Sequence, residues 1–121
     1  MQNKSNILLV DDEYSVSFSL INILVMEHYK VTSSNNGKDA IETVKNSNFG
    51  MAFFDIRLPD MTGVELLRAV RDFNSSLIII MMTAYAKNNL IEEALQEGAV
   101  TCLRKPFEIS EVLGLVKKLI K

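Results

Sequence analysis

Cysteine is nearly missing from these 121 residues, with Cys102 as the single example. One cysteine cannot form an internal disulfide, so a reducing compartment fits best. A surplus of one charge is missing too. The 13 basic and 15 acidic side chains leave a net charge of −2, which argues against direct nucleic-acid binding. Long apolar runs are absent. The longest is Leu77–Met82, far short of the ~20 residues that cross a bilayer. The only early apolar run, Ile7–Val10, is followed at once by acids, which is no signal-peptide pattern. There is no internal repeat, heptad array or low-complexity tract, and no G-x-G-x-x-G follows the first apolar run. These absences lead to an expectation of a cytoplasmic protein that does not act at a membrane.

What remains is enough for one domain over residues 1–121. Area scaling gives about 6,600 Å² folded against about 19,700 Å² unfolded, so roughly two-thirds of the surface can be buried without a staple. The 48% hydrophobic and 23% charged content is that of an ordinary globule.

Three apolar runs, Ile7–Val10, Met51–Phe54 and Leu77–Met82, are too short for helices and rich in β-branched or aromatic residues. Strands buried on both faces read this way. Lys30–Ser33 and Val100–Leu103 are weaker strand candidates. Between them lie stretches with apolar residues at three- and four-residue steps. The first is Tyr14–Glu27, with Val16, Leu20, Ile23 and Leu24; the second is Lys38–Lys45. The others are marked by Val64, Leu67 and Val70, by Leu90, Ala94 and Leu95, and by Val112, Val116, Leu119 and Ile120. Thr62-Gly63-Val64-Glu65 reads as a capping box. Asn36-Gly37 breaks the chain before the second helix, and Gly98 suits the end of the fourth. His28, the only histidine, falls just past the first helix and is expected to end it with φ > 0. Five strand–helix units in alternation predict an α/β fold, a parallel sheet with helices on both faces.

Ligands of such sheets bind at the carboxyl ends of the strands. Asp11, Asp12 and Glu13 follow the first strand, Asp55 the third, Thr83 the fourth, and Lys105 and Pro106 the fifth. Carboxylates gathered at one sheet edge repel each other unless a cation joins them. Mg²⁺ suits such a set, because it takes a few carboxylates and completes its shell with water and phosphate oxygens. An Asp carboxylate can also attack phosphorus, and Thr83 and Lys105 offer donors to the resulting phosphoryl group. Each residue alone has a plainer reading: Asp11-Asp12 or Thr83 as helix caps, Asp55 as a turn residue, Lys105 as a solvated lysine. Their joint placement at successive strand ends favours the site.

Four blocks carry a resemblance over essentially the whole chain: Ile7-Leu8-Leu9-Val10-Asp11-Asp12-Glu13, Phe54-Asp55-Ile56-Arg57-Leu58-Pro59-Asp60-Met61-Thr62-Gly63, Met82-Thr83-Ala84-Tyr85 and Arg104-Lys105-Pro106-Phe107. In this order and spacing they resemble a response-regulator receiver domain of bacterial two-component signalling. The resemblance implies a five-stranded sheet in order 2-1-3-4-5 and a cis Lys105–Pro106 bond. It implies Asp55 as phosphoacceptor, with Thr83 and Lys105 on the phosphoryl group. Mg²⁺ would be held by Asp11, Asp12, Asp55 and the backbone carbonyl of Arg57. The implied partners are a sensor histidine kinase or phosphotransfer protein, and a downstream target, fused output domain or phosphorylation-linked homodimer. Such a domain is a phosphoacceptor, not an enzyme acting on outside substrates.

One position departs from the pattern. Receivers usually carry Tyr or Phe three residues before the lysine; here it is Cys102, expected to be a small buried residue. It has too little surface for a ring-rotation switch, and Tyr85 is an alternative element of the readout. Cys102 is also the only support for a rival reading, a binding module that works without phosphate. A phosphatase with an aspartate nucleophile would need Asp-x-Asp, whereas this chain has Asp11-Asp12-Glu13.

Overall fold

The computed structural model describes residues 6–84 and 89–120, with only the backbone at 14–17. Its elements alternate as the sequence predicts: β1 (Asn6–Val10), α1 (Tyr14–Met26), β2 (Lys30–Ser34), α2 (Gly37–Asn46), β3 (Met51–Asp55), α3 (Gly63–Arg71), β4 (Ile78–Thr83), α4 (Asn89–Gln96), β5 (Thr101–Arg104) and α5 (Ile109–Leu119). All strand pairs are parallel, in order β2-β1-β3-β4-β5. The accessible surface of 6730 Å² agrees with the area scaling.

Side chains alternate across the sheet and form two cores. Leu8, Val10, Ala52, Phe54, Ile79 and Met81 pack under α2, α3 and α4, represented by Val44, Leu67 and Ala94. Ile7, Leu9, Met51, Phe53, Ile80 and Met82 pack against Leu20 and Leu24 of α1 and Val112 and Val116 of α5. β1, β3 and β4 read as continuous apolar runs because both faces are covered.

The helix boundaries follow their predicted chemistry. Thr62 and Glu65 form the reciprocal capping box of α3. Asn36 caps α2, its side chain accepting from the Asp39 N–H at 2.8 Å. α1 and α4 both close with a bond from the second residue past the cap: Tyr29 N–H to the Leu24 carbonyl, and Ala99 N–H to the Ala94 carbonyl, each 3.0 Å. The residues at the bend, His28 and Gly98, have φ of 71° and 108°.

Two expectations need correction. The last polar residues thought to follow β3 and β4, Asp55 and Thr83, are the final residues of those strands. Polarity ends an apolar run, but backbone pairing continues through Asp55–Met82 and Thr83–Arg104. The first helix is also less amphipathic than its spacing suggested. It contains no charged residue, and Phe18, Val25 and Met26 lie on its solvent side, Met26 being 77% exposed.

Candidate functional site

The strand order reverses at β1, whose neighbours β2 and β3 lie on either side. The crevice between the carboxyl ends of β1 and β3 is therefore the topological switch point. Backbone bonds carry the sheet one step beyond the strands there. Asp11 N–H donates to the Ser34 carbonyl (3.1 Å), Ile56 N–H to the Met82 carbonyl (2.9 Å) and Lys105 N–H to the Thr83 carbonyl (2.7 Å). These bonds fix where Asp11, Asp55 and Lys105 project.

The side chains converge. Lys105 Nζ donates to Asp11 Oδ2 and to Asp55 Oδ2, both at 2.9 Å, and lies 3.4 Å from Glu13 Oε1. The other carboxylate oxygens are engaged as well. Asp11 Oδ1 accepts from Glu13 N–H at 2.9 Å, and Asp55 Oδ1 accepts from Arg57 N–H at 3.2 Å. Asp11, Asp55 and Thr83 are buried, while Asp12 is exposed at the rim. Ligand oxygens of Asp11, Asp12 and Asp55 lie within 4.8 Å of one another. An all-carboxylate set of that size suits a small hard cation such as Mg²⁺.

Burial raises the Asp55 carboxyl above its ordinary range, against the opposing pull of Lys105 and of the Arg57 N–H. Burial also disfavours the Lys105 ammonium, but its bonds to Asp11 and Asp55 outweigh this and its pKa rises. Lys105 is therefore a fixed cation amid carboxylates, not a solvated lysine. The capping alternative for Asp11-Asp12 fails as well, because the N-cap of α1 is Glu13, with no side-chain cap.

The local geometry at Asp55 depends on Gly63. A Cβ there would run into the Asp55 backbone carbonyl and the Met81 methyl, while the Gly63 N–H donates to the Ile56 carbonyl at 2.6 Å. Without that close approach α3 could not start beside the end of β3. Lys105–Pro106 is cis, as the resemblance implied.

Cys102 is half-buried rather than buried, beside a groove that also involves Gly114 and Lys118. Burial pushes its thiol pKa up, with Asp55 adding to the effect, so it is no activated thiolate. Tyr85 lies outside the described residues. Sequence reasoning missed Asp60, whose carboxylate accepts from Gly37 N–H at 2.8 Å and Lys38 N–H at 2.9 Å. The start of α2 needs acceptors for these amides. Nothing in the sequence says that they come from a residue more than twenty positions away.

A parallel five-stranded sheet with an acidic cluster and a buried lysine at its switch point defines the class. Residues 7–117 match the model of the response regulator receiver domain, and the chain belongs to that family. It is 33% identical to sporulation initiation phosphotransferase F of Bacillus subtilis, covering 93% of this chain and 90% of that protein. It is 31% identical to the DNA-binding transcriptional regulator NtrC of Proteus hauseri, where it covers 97% of this chain but only 25% of the regulator. A response regulator receiver domain protein (CheY-like) from Methanospirillum hungatei superposes with a TM-score of 0.91, at 32% identity over 96% of this chain and 93% of that one. A beryllofluoride-activated NtrC4 receiver domain dimer gives 0.90, at 27% identity over 96% of each. The protein is thus a receiver domain of two-component signalling. No helix among the described residues is long and apolar enough to cross a membrane.

Proposed function

We propose that Asp55 accepts a phosphoryl group from a histidine kinase or phosphotransfer protein, and that this switches a protein-binding surface. The observation that carries the reading is the meeting of Asp55 with the Asp11 and Asp12 carboxylates and, at 2.9 Å, with the Lys105 ammonium. A carboxylate oxygen of Asp55 attacks phosphorus, the bond from phosphorus to the donor's imidazole nitrogen breaks, and the electron pair stays on that nitrogen. Mg²⁺ held by Asp11, Asp12, Asp55 and the Arg57 carbonyl would neutralise the phosphoryl oxygens. Lys105 supplies a further fixed positive charge, and Thr83, at the adjacent strand end, supplies a hydroxyl. The domain assists only its own phosphorylation and dephosphorylation.

Phosphorylation adds charge where β3, β4 and β5 end. The Lys105 N–H to Thr83 carbonyl bond couples β4 to β5, so new contacts to either side chain bear on both loops. A shift from 1:99 to 99:1 needs about 5.5 kcal/mol of differential stabilisation, within reach of several charge-assisted bonds. The reading goes with a cytoplasmic setting and with a target protein, fused output domain or second copy as listener.

The test is intact-mass measurement after incubation with acetyl phosphate and Mg²⁺. The wild type gains one phosphoryl group, and both Asp55→Asn and EDTA abolish the gain. An unmodified wild type, or an Asp55→Asn variant that still gains the mass, rejects the assignment. Equal target binding with and without phosphate would instead favour the phosphate-independent module.

A further inference from the structure

We propose that Asp60 is a positioning residue for the cation site, fastening the loop that carries Arg57 to the start of α2. The proposal rests on the reading above, in which the Arg57 carbonyl is a metal ligand. The loop from Ile56 to Thr62 is a narrow hairpin. Its base is closed by two bonds, Gly63 N–H to the Ile56 carbonyl (2.6 Å) and Leu58 N–H to the Met61 carbonyl (3.0 Å), which together make Arg57 and Thr62 an antiparallel bridge. The tip lies beyond these two bonds. The tip is what Asp60 holds: its two oxygens take the Gly37 and Lys38 amides at 2.8 and 2.9 Å.

These are charge-assisted bonds at a helix N-terminus, where the helix dipole favours a carboxylate. The same two amides hold the Asp60 carboxyl below its usual range. The anchor is not a simple cap, because α2 already has its local cap in Asn36. Asp60 takes the two amides that Asn36 leaves, and it comes from another part of the sheet edge. A second contact supports the first. A Cβ on Gly37 would run into the Met61 thioether, so Met61 sits directly on the start of α2. α2 is rigidly based, with Gly37, Ala40 and Val44 buried against the sheet. The Arg57 N–H is bonded to Asp55 Oδ1, so a shift of the hairpin disturbs both the peptide carrying the Arg57 carbonyl and a carboxylate of the cluster.

Outer groups that orient ligands typically change metal affinity 10–100-fold when removed. The experiment is titration of the full chain with Mn²⁺ alone, read by electron paramagnetic resonance, with amide NMR of the metal-free protein beside it. Asp60→Ala is expected to raise the Mn²⁺ Kd about tenfold and to move the Arg57 and Leu58 amide signals before any metal is added. Asp60→Asn, which keeps one acceptor oxygen, should fall between. Asn36→Ala removes the other cap of the same helix and should leave the Kd within about twofold of wild type, since it loosens α2 without releasing the hairpin. A wild-type Kd in Asp60→Ala, or equal weakening in Asp60→Ala and Asn36→Ala, overturns the proposal. A wild type that binds no Mn²⁺ rejects the cation site itself, and is told apart by the missing signal change in every variant.

Discussion

His28 is the only non-glycine residue with positive φ among the described residues, at 71°. The left-handed conformation costs an L-residue about 1–2 kcal/mol, and a glycine gives back about half of that through its extra freedom when unfolded. His28→Gly should therefore raise stability by about 0.5 kcal/mol, seen as a higher urea midpoint at unchanged slope. A lower midpoint would mean that the imidazole makes a contact worth more than the strain. The same scale separates Lys105 from the other lysines among the described residues. Its identity and position are plain in the sequence, but its character is not. Only the placement of Asp11 and Asp55 on either side makes it a buried ion-paired cation. Cys102 is the reverse case. Its small size is read directly, while its half-buried state depends on what α5 leaves uncovered beside Gly114.

At the scale of elements, α3 shows how similar side chains take unequal parts. Arg71 Nη1 donates to the Leu77 carbonyl at 2.7 Å and Nη2 to the Gly98 carbonyl at 3.3 Å, joining the end of α3 to the residue before β4 and to the bend that ends α4. Arg68 instead reaches Glu97 at 2.8 Å and Glu93 at 3.5 Å across an exposed face. Arg71→Ala should cost about 1.5 kcal/mol, because partly buried carbonyls lose a charged donor. Arg68→Ala should stay close to wild type, since exposed pairs are screened by solvent and salt. Urea unfolding of the two variants checks the order, and a larger loss for Arg68→Ala contradicts it. The strands were legible to within a residue at each end, because runs such as Met51–Phe54 and Leu77–Met82 follow from burial on both faces. Their last positions were not, because Asp55 and Thr83 are polar yet still pair.

For the molecule as a whole, two apolar cores share one sheet, drawing on alternate residues of the same strands, and the single cysteine rules out an internal disulfide between them. Every residue of β1, β3 and β4 from Ile7 to Val10, Met51 to Phe54 and Ile79 to Met82 is buried on one side or the other. The cores should therefore melt together. Leu67→Ala in one and Leu24→Ala in the other should each lower global stability by about 3 kcal/mol. Far-ultraviolet circular dichroism and tyrosine fluorescence should report a single coincident transition in both variants. Separate transitions in either would show that the faces unfold independently. The candidate site sits at the carboxyl edge of this sheet and takes its rigidity from both cores.

The sequence by itself determined the alternation of strands and helices, the capping box at Thr62, the bends at His28 and Gly98, and the residues gathered at the strand ends. Each is a local matter of apolar spacing, backbone preference or order along the chain. The tertiary structure decided what depends on distant segments meeting. It set Lys105 between Asp11 and Asp55, which lie 94 and 50 positions away. It left an apolar face of α1 in solvent. It brought Asp60 to the start of α2. Contacts of that range are fixed by how the sheet orders its strands, and no local pattern of residues encodes that order.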